Sequence, residues 1–291
     1  MRDGVINILK APGMTSNDVV YDVRRALSVK RVGHTGTLDP GAAGVLPVCV
    51  GKATKLFDYL MEKEKEYIAE AVFGIETDTL DSYGTITNSH DRIITRQEIE
   101  EVLQEYIGEI EQIAPMYSAV SVNGQRLYKL ARKGIEVERK TRKAVIYDIK
   151  IIDEPASNRF LFKTRCSKGT YVRTLFNDIA HRLGTYAYIS FLLRSASGRF
   201  DLSNSVTIDE LKNHVENKTE DDVILPVDKA LDFLPEISFS DNEFIYKKLI
   251  NGAYTEYDGS GLSRVYYNNA FIGIGESKDK MLRIKTQFCE V

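Results

Sequence analysis

Residues 31–56, RVGHTGTLDPGAAGVLPVCVGKATKL, crowd glycine and proline around a single carboxylate, Asp39, with no other acid between Arg31 and Lys52. Two phosphate-binding readings of this stretch fail on spacing. A Walker A loop needs Gly, four residues, then Gly-Lys-Ser/Thr; here Leu46 stands where the first Gly should be, and Ala53 follows Lys52. The GxGxxG pattern fails as well. What remains is an acid in a stiff frame. Pro40 fixes its own φ and biases Asp39 away from helical backbone, while Gly33, Gly36, Gly41 and Gly44 permit approaches that side chains would forbid. Such a frame can hold a carboxylate to the fraction of an ångström that catalysis requires. From Asp-Pro alone, a turn in which Asp39 caps a neighbouring amide is the plainer interpretation.

The rest of the chain sets the context. Its 291 residues suffice for one large domain and a small one, and 43% hydrophobic with 28% charged residues is the balance of a soluble globular protein. Cys49, Cys166 and Cys289 are far apart, without CxxC or Cys/His clustering. A disulfide framework or structural zinc is therefore not expected, and a reducing cytoplasm is. His34, His90, His181 and His214 are equally scattered, so no metal site is assigned. No signal peptide or membrane span is evident. The net charge of −3 hides an uneven distribution: residues 126–182 carry 15 Lys/Arg against 6 Asp/Glu, and residues 205–261 carry 5 against 13. A basic middle is a candidate phosphate-binding surface, although charge runs are often only solvated faces.

Periodicity predicts a buried strand at GVINIL (4–9) and a helix over 17–27, with Ser16 or Asn17 as its cap. Strands are expected at GVLPVCVG, at 65–73 with Tyr67, Ala69, Ala71 and Phe73 on one face, at 144–152 and at 160–166. Thr95 and Glu98 form a capping box for a helix to about Ile107, closed by Gly108. An amphipathic helix spans 171–183 before Gly184, with Arg173 in its first turn and off its apolar stripe. Residues 115–143 are basic, tyrosine-bearing and aperiodic, too long for an idle loop. From about residue 231 short alternating runs with turn signals predict a small β-rich domain.

GHTGTLDPGAAGVLPVCVGKATK resembles the signature of the bacterial TruB-type tRNA pseudouridine synthases. The resemblance continues in order along the chain. KEYIA (65–69) is similar to the family's Lys-x-Tyr-x-Ala motif, TDTLDSYG (77–84) to the loop after it, and PMYSAVSVNGQRLYKLARKG (115–134) to its thumb insertion. GTYVRTL (169–175) resembles the third motif and FLLRSASGRF (191–200) the segment that follows. Two departures, KAPG at 10–13 and VSVNG at 120–124, lie outside the catalytic set.

The resemblance implies an α+β pseudouridine synthase fold: a central mixed, mainly antiparallel sheet flanked by helices, with a catalytic domain over 1–230, a thumb-like insertion over about 115–143, and a PUA-like RNA-binding domain over 231–291. It also implies isomerisation of the T-loop uridine at tRNA position 55, with no cofactor. By position, Asp39 matches the catalytic aspartate, Tyr67 the tyrosine that stacks on the target base, and Arg173 the arginine that pairs with the aspartate. His34 matches the histidine that takes part in flipping the uridine, while Tyr171 and Leu192 match residues that contact the flipped base. General chemistry agrees with these roles. A base inside a folded loop has to be extruded and held by stacking and edge hydrogen bonds, and a cation near a helix N-terminus would keep Asp39 ionised. Asp39 could attack C1′ or remove the C2′ proton, and the sequence leaves both open; Tyr67 is a candidate to accept or relay the C5 proton. Arg126, Lys129, Arg132, Lys133, Arg139, Lys140, Arg142 and Lys143 are expected to grip the T-arm backbone.

The expected partner is tRNA alone, met by a monomer without guide RNA, since a guide-dependent synthase would lack the 115–143 insertion. A tRNA-binding folding factor is the rival outside catalysis. An RNA methyltransferase would need a Gly-rich cofactor loop, which is missing from the sequence.

Overall fold

The computed structural model describes residues 3–61, 63–122 and 124–289; Asn123 of the VSVNG stretch lies outside them. Apolar runs build the sheet. β1 (Gly4–Lys10) is buried almost throughout, as is β3 (Ala43–Val50), because both faces of the sheet are covered here. Between them come α1 (Ser16–Leu27) and the short β2 (Val32–His34). The cap of α1 is Thr15, in a capping box with Asp18, not Ser16 or Asn17. Ser16 is instead turned inward, its hydroxyl bridging the backbone of Leu38.

β4 (Lys65–Phe73), β5 (Gly108–Ile113), β6 (Thr141–Ala156), β7 (Arg159–Cys166), β8 (Ala187–Ser197), β9 (Phe200–Asp201) and β10 (Leu225–Pro226) complete a ten-stranded sheet. Its order is β10-β1-β3-β8-β4-β7-β6-β5, with β2 on β3 and β9 on β8. Every pairing is antiparallel except β3 with β8, so the expected mixed, mainly antiparallel sheet is present. That parallel contact, Leu193 to Ala43 and Arg194 to Gly44, joins two halves with separate cores. In one half α2 (Arg96–Leu103) and α3 (Val172–Arg182) cover the sheet. Phe176 of α3 lies 4.4 Å, ring to ring, from Phe162, and burying each such ring contributes about 2–3 kcal/mol. In the other half α1 and α4 (Ile208–Glu216) pack over β1 and β3.

Several expectations need correction. α2 stops at Leu103 and tightens into a 3-10 turn through Tyr106; Gly108, at φ +103°, opens strand β5 rather than closing a helix. The 115–143 segment is not all loop. It holds a hairpin (Ser121–Val122 with Gln125–Arg126) and a short helix (Leu127–Ala131), and its last residues, 141–143, already belong to β6. Leu127 and Leu130 bury against Ala114 in a small core of its own.

The C-terminal region is the expected small sheet, of β11 (Glu236–Phe239), β12 (Thr255–Glu256), β13 (Gly261–Tyr267), β14 (Ala270–Lys278) and β15 (Met281–Gln287). It also contains a helix, α5 (Glu243–Ile250), capped by Asn242. Ile274 and Phe288 bury among Val5, Val45 and Cys49, and Lys55 Nζ donates to the Gln287 carbonyl at 2.7 Å. The small sheet is thus docked on the large one. No helix among the described residues is long and apolar enough to cross a membrane.

Candidate active site

The 35–42 loop is fastened at both ends by buried cations. Lys10, 1% exposed, donates to the carbonyls of Ala11, Met14 and Pro40 at 2.9, 2.7 and 3.2 Å. Arg194, also 1% exposed, donates from Nε to the Val45 carbonyl at 2.7 Å and from Nη2 to the Gly36 carbonyl at 3.1 Å. Between these anchors the Ser16 hydroxyl accepts from Leu38 N at 2.9 Å, and Gly13 N donates to the Pro40 carbonyl at 2.8 Å. Gly44 makes the arrangement possible. At φ +118° a Cβ there would stand 2.2 Å from the Arg194 carbonyl, so the β3–β8 contact requires glycine.

Asp39 emerges from this frame partly exposed, and Arg173 meets it. Arg173 Nη2 lies 2.9 Å from Asp39 Oδ2, and Nη1 lies 3.6 Å from Asp81 Oδ2. The same guanidinium donates to the carbonyls of Thr79 at 2.7 Å and Tyr117 at 2.8 Å. Its side chain is only 5% exposed, so the first-turn arginine that periodicity put off the apolar stripe is buried. Four acceptors from three segments offset the cost of burying it. Asp39, Asp81, Arg173 and Leu192 line one pocket.

Tyr67 and Leu192 each pack against both sheet cores, which puts them at the seam between the halves. Burial pushes the Tyr67 hydroxyl above the ordinary phenol range, and the positive charge of Arg194 opposes that shift. His34 is half-buried, and desolvation helped by Arg194 holds its imidazole below the ordinary histidine value. Its Nδ1 accepts from Gly36 N at 3.3 Å. Tyr171 precedes the first turn of α3, without a side-chain capping bond, and packs against the small core of the 115–143 segment; burial raises its hydroxyl as well.

The eight predicted basic residues divide. Arg126, Lys129, Arg132, Lys133, Lys140, Arg142 and Lys143 are exposed, Arg126 while donating to the Ala119 carbonyl. Arg139 is half-buried and bound to the Ala114 carbonyl at 3.0 Å, and Lys143 pairs with Glu109 at 2.7 Å. Lys10, Asp81 and Arg194 were not singled out from sequence. The available signals were a lysine ending a mostly apolar strand and an arginine directly after the apolar run Phe191-Leu192-Leu193. Among the described residues no three His, Cys, Asp or Glu side chains gather as metal ligands.

Comparison with known proteins gives the family. The model of the TruB family pseudouridylate synthase N-terminal domain matches residues 24–172, and that of the tRNA pseudouridylate synthase B C-terminal domain matches 173–232. The chain belongs to the TruB family of pseudouridylate synthases. It is 45% identical to the tRNA pseudouridine synthase B of Caldanaerobacter subterraneus subsp. tengcongensis over 291 residues, 98% of this chain and 99% of the relative. With that of Clostridium kluyveri it shares 46% over 294 residues, covering 97% and 99%. Among solved structures it is similar to a Cbf5-Nop10-Gar1 complex (TM-score 0.72, 26% identity, 97% of this chain and 79% of that one). It also resembles in fold an H/ACA RNP bound to a substrate RNA containing 2′-deoxyuridine (TM-score 0.74, 24%, 99% and 85%). As a TruB-family synthase, the chain is an isomerase.

Proposed function

We infer that this TruB-family enzyme converts the T-loop uridine at tRNA position 55 to pseudouridine, acting alone in the cytoplasm as a monomer and gripping the T-arm. The observation that carries the reading is the Arg173–Asp39 ion pair, 2.9 Å long, in a pocket walled by Leu192, a residue that shares the seam between the two sheet cores with Tyr67.

The flipped uracil stacks on Tyr67 against Leu192 and Tyr171, while half-buried, neutral His34 occupies the space the base has left. Arg173 aims the Asp39 carboxylate at the ribose. Asp39 then either attacks C1′ or removes the C2′ proton; both break N1–C1′, and the pinned loop suits either. The uracil turns and C5 bonds to C1′, either displacing the Asp39 carboxylate from C1′ or, on the other route, with the proton held by Asp39 returning to C2′; C5 then loses its proton and N1 gains one. With its hydroxyl pushed above the phenol range, Tyr67 is a neutral phenol at neutral pH. That favours a relay, in which its oxygen accepts this proton while its own passes on, over a phenolate base. No electrons or phosphoryl groups move.

Two observations favour action without a guide. The 115–143 segment has its own small core and exposed cations suited to RNA phosphates, and relatives at 45–46% identity align over nearly their whole length. Asp39→Asn tests the reading on an unmodified T-arm stem-loop supplied with nothing else. The wild type should form pseudouridine at one loop position, and the variant should bind the RNA yet convert none. Conversion by Asp39→Asn at the wild-type rate would remove Asp39 from the chemistry.

A further inference from the structure

Two aromatic side chains at the mouth of the Asp39 pocket have no part in the mechanism above. Tyr83 is 72% exposed and Phe191 45%, and both line the pocket that holds Asp39 and Arg173. Neither is loosely mounted. The loop bearing Tyr83 is stapled to β8, with Ser82 N donating to the Ile189 carbonyl and Ile189 N to the Leu80 carbonyl, each at 3.1 Å. Asp81 Oδ1 accepts from Tyr83 N at 3.0 Å and from the Thr79 hydroxyl at 2.6 Å. Leu80 is held at φ +60°, a strained conformation that persists only where the surroundings impose it.

The Tyr83 ring lies on the backbone of the catalytic loop itself. A Cβ at Gly41, two residues after Asp39, would meet Tyr83 Cε2 at 2.2 Å. Phe191 owes its exposure to a bulge. The β8–β4 register slips between Ile189 and Phe191, which disturbs the alternation of faces and lets Phe191 turn outward beside Leu192. Leaving two large rings in water forgoes their burial energy, and rigid aromatic faces beside a nucleotide pocket are suited to base stacking.

We propose that Tyr83 and Phe191 form a stacking clamp for a second, unpaired base of the RNA, next to the reacting uridine. The clamp rests on the function inferred above, since it takes the same substrate. On that reading the uridine is held by Leu192 in the pocket wall and by Tyr67 at the seam behind it, so the rim aromatics are free for its neighbour. The clamp is tolerant of base identity, because every base offers a π-face.

The test measures affinity of the full chain for two T-arm stem-loops, one intact and one with an abasic site beside the target uridine. Tyr83→Ala should weaken binding of the intact RNA about 5- to 150-fold, the range for loss of one base–aromatic stack. Tyr83→Phe should restore it, and Phe191→Ala should fall in the same direction. The abasic RNA should bind wild type more weakly by a similar factor, yet bind Tyr83→Ala no more weakly than the intact RNA does. That non-additivity is the mark of a direct contact. Additive losses for every flanking abasic site, or wild-type affinity for Tyr83→Ala and Phe191→Ala, would overturn the clamp. In a parallel conversion assay, failure of the wild type to modify the stem-loop would overturn the functional reading instead, and the clamp with it.

Discussion

Arg194→Met should damage both the fold and the chemistry. Arg194 has 1% of its surface exposed and holds the Val45 and Gly36 carbonyls at 2.7 and 3.1 Å. Its charge also opposes the upward shift that burial imposes on the Tyr67 hydroxyl. Methionine keeps the length of the stem but leaves these buried groups without a donor, and hydrogen bonds to a charged group contribute about 1.5–3 kcal/mol each. Relief from burying a charge offsets part of that loss, which leaves a net destabilisation of about 2–4 kcal/mol. The Gly36 carbonyl lies three residues before Asp39, so its release lets the acid drift. A misplacement near 1 Å can cost about a hundredfold in rate. Urea unfolding gives the first quantity, and single-turnover conversion at saturating enzyme gives the second. A variant that loses stability as expected but keeps its single-turnover rate within about threefold would refute the idea that Arg194 aims the catalytic loop. One that keeps both would refute the hydrogen-bond accounting itself.

Gly44→Ala should be severe, because a Cβ 2.2 Å from the Arg194 carbonyl at φ +118° prises β3 from β8; a loss of about 3 kcal/mol or more is expected, and thermal unfolding within about 1 kcal/mol of wild type would contradict it. Burial lowers Lys10 from 10.5 to about 8, so between those pH values the unfolded chain carries a proton that the folded one lacks. Wild-type stability relative to Lys10→Met should therefore rise from pH 8 to 10.5, by about 3 kcal/mol when complete; a flat or falling difference in denaturant titrations would reverse the assignment. Changing Arg126, Lys129, Arg132 and Lys133 together to Glu should weaken T-arm binding at least about tenfold and reduce the log–log salt slope by about 3. Arg139 and Lys143, already held by Ala114 and Glu109, should matter less, and a salt slope that does not move would remove the 115–143 segment from the RNA grip.

How much of this was legible in the sequence depended on whether the signal was local. Strands β1, β3, β4 and β7 followed from apolar runs and alternation, and α3 from its stripe. The motif resemblance supplied the fold family and named Asp39, Tyr67 and Arg173 before any contact was known. Thr15 was missed as a cap because the residue after it, Ser16, has equal capping chemistry; only tertiary packing against Leu38 drew Ser16 inward. Gly108 looked like a helix terminator because positive φ serves equally well at the start of a strand. The largest omission was the pair of buried cations. Nothing within reach of Lys10 or Arg194 along the chain shows that their partners are carbonyls on a loop around Asp39. The Gly36 carbonyl is 158 residues from Arg194, and contact at that separation is a property of the sheet order.

That sheet order also explains why one arginine can serve the whole site. Arg173 stands in the first turn of a helix locked down by Phe176, so its guanidinium is fixed by the core of one half, while Asp39 is fixed by the core of the other. The ion pair spans the seam between them. Arg173 further takes the carbonyl of Tyr117, in the 115–143 segment, and that of Thr79, in the loop that mounts Tyr83. The segments proposed to touch RNA outside the pocket are thereby bonded to Arg173, the group proposed to aim Asp39. RNA contacts made at a distance from the uridine can then be expressed in the placement of Asp39 and so in rate, rather than in affinity alone. A pocket with loosely attached grips would convert the same contacts only into tighter binding of the unreacted loop.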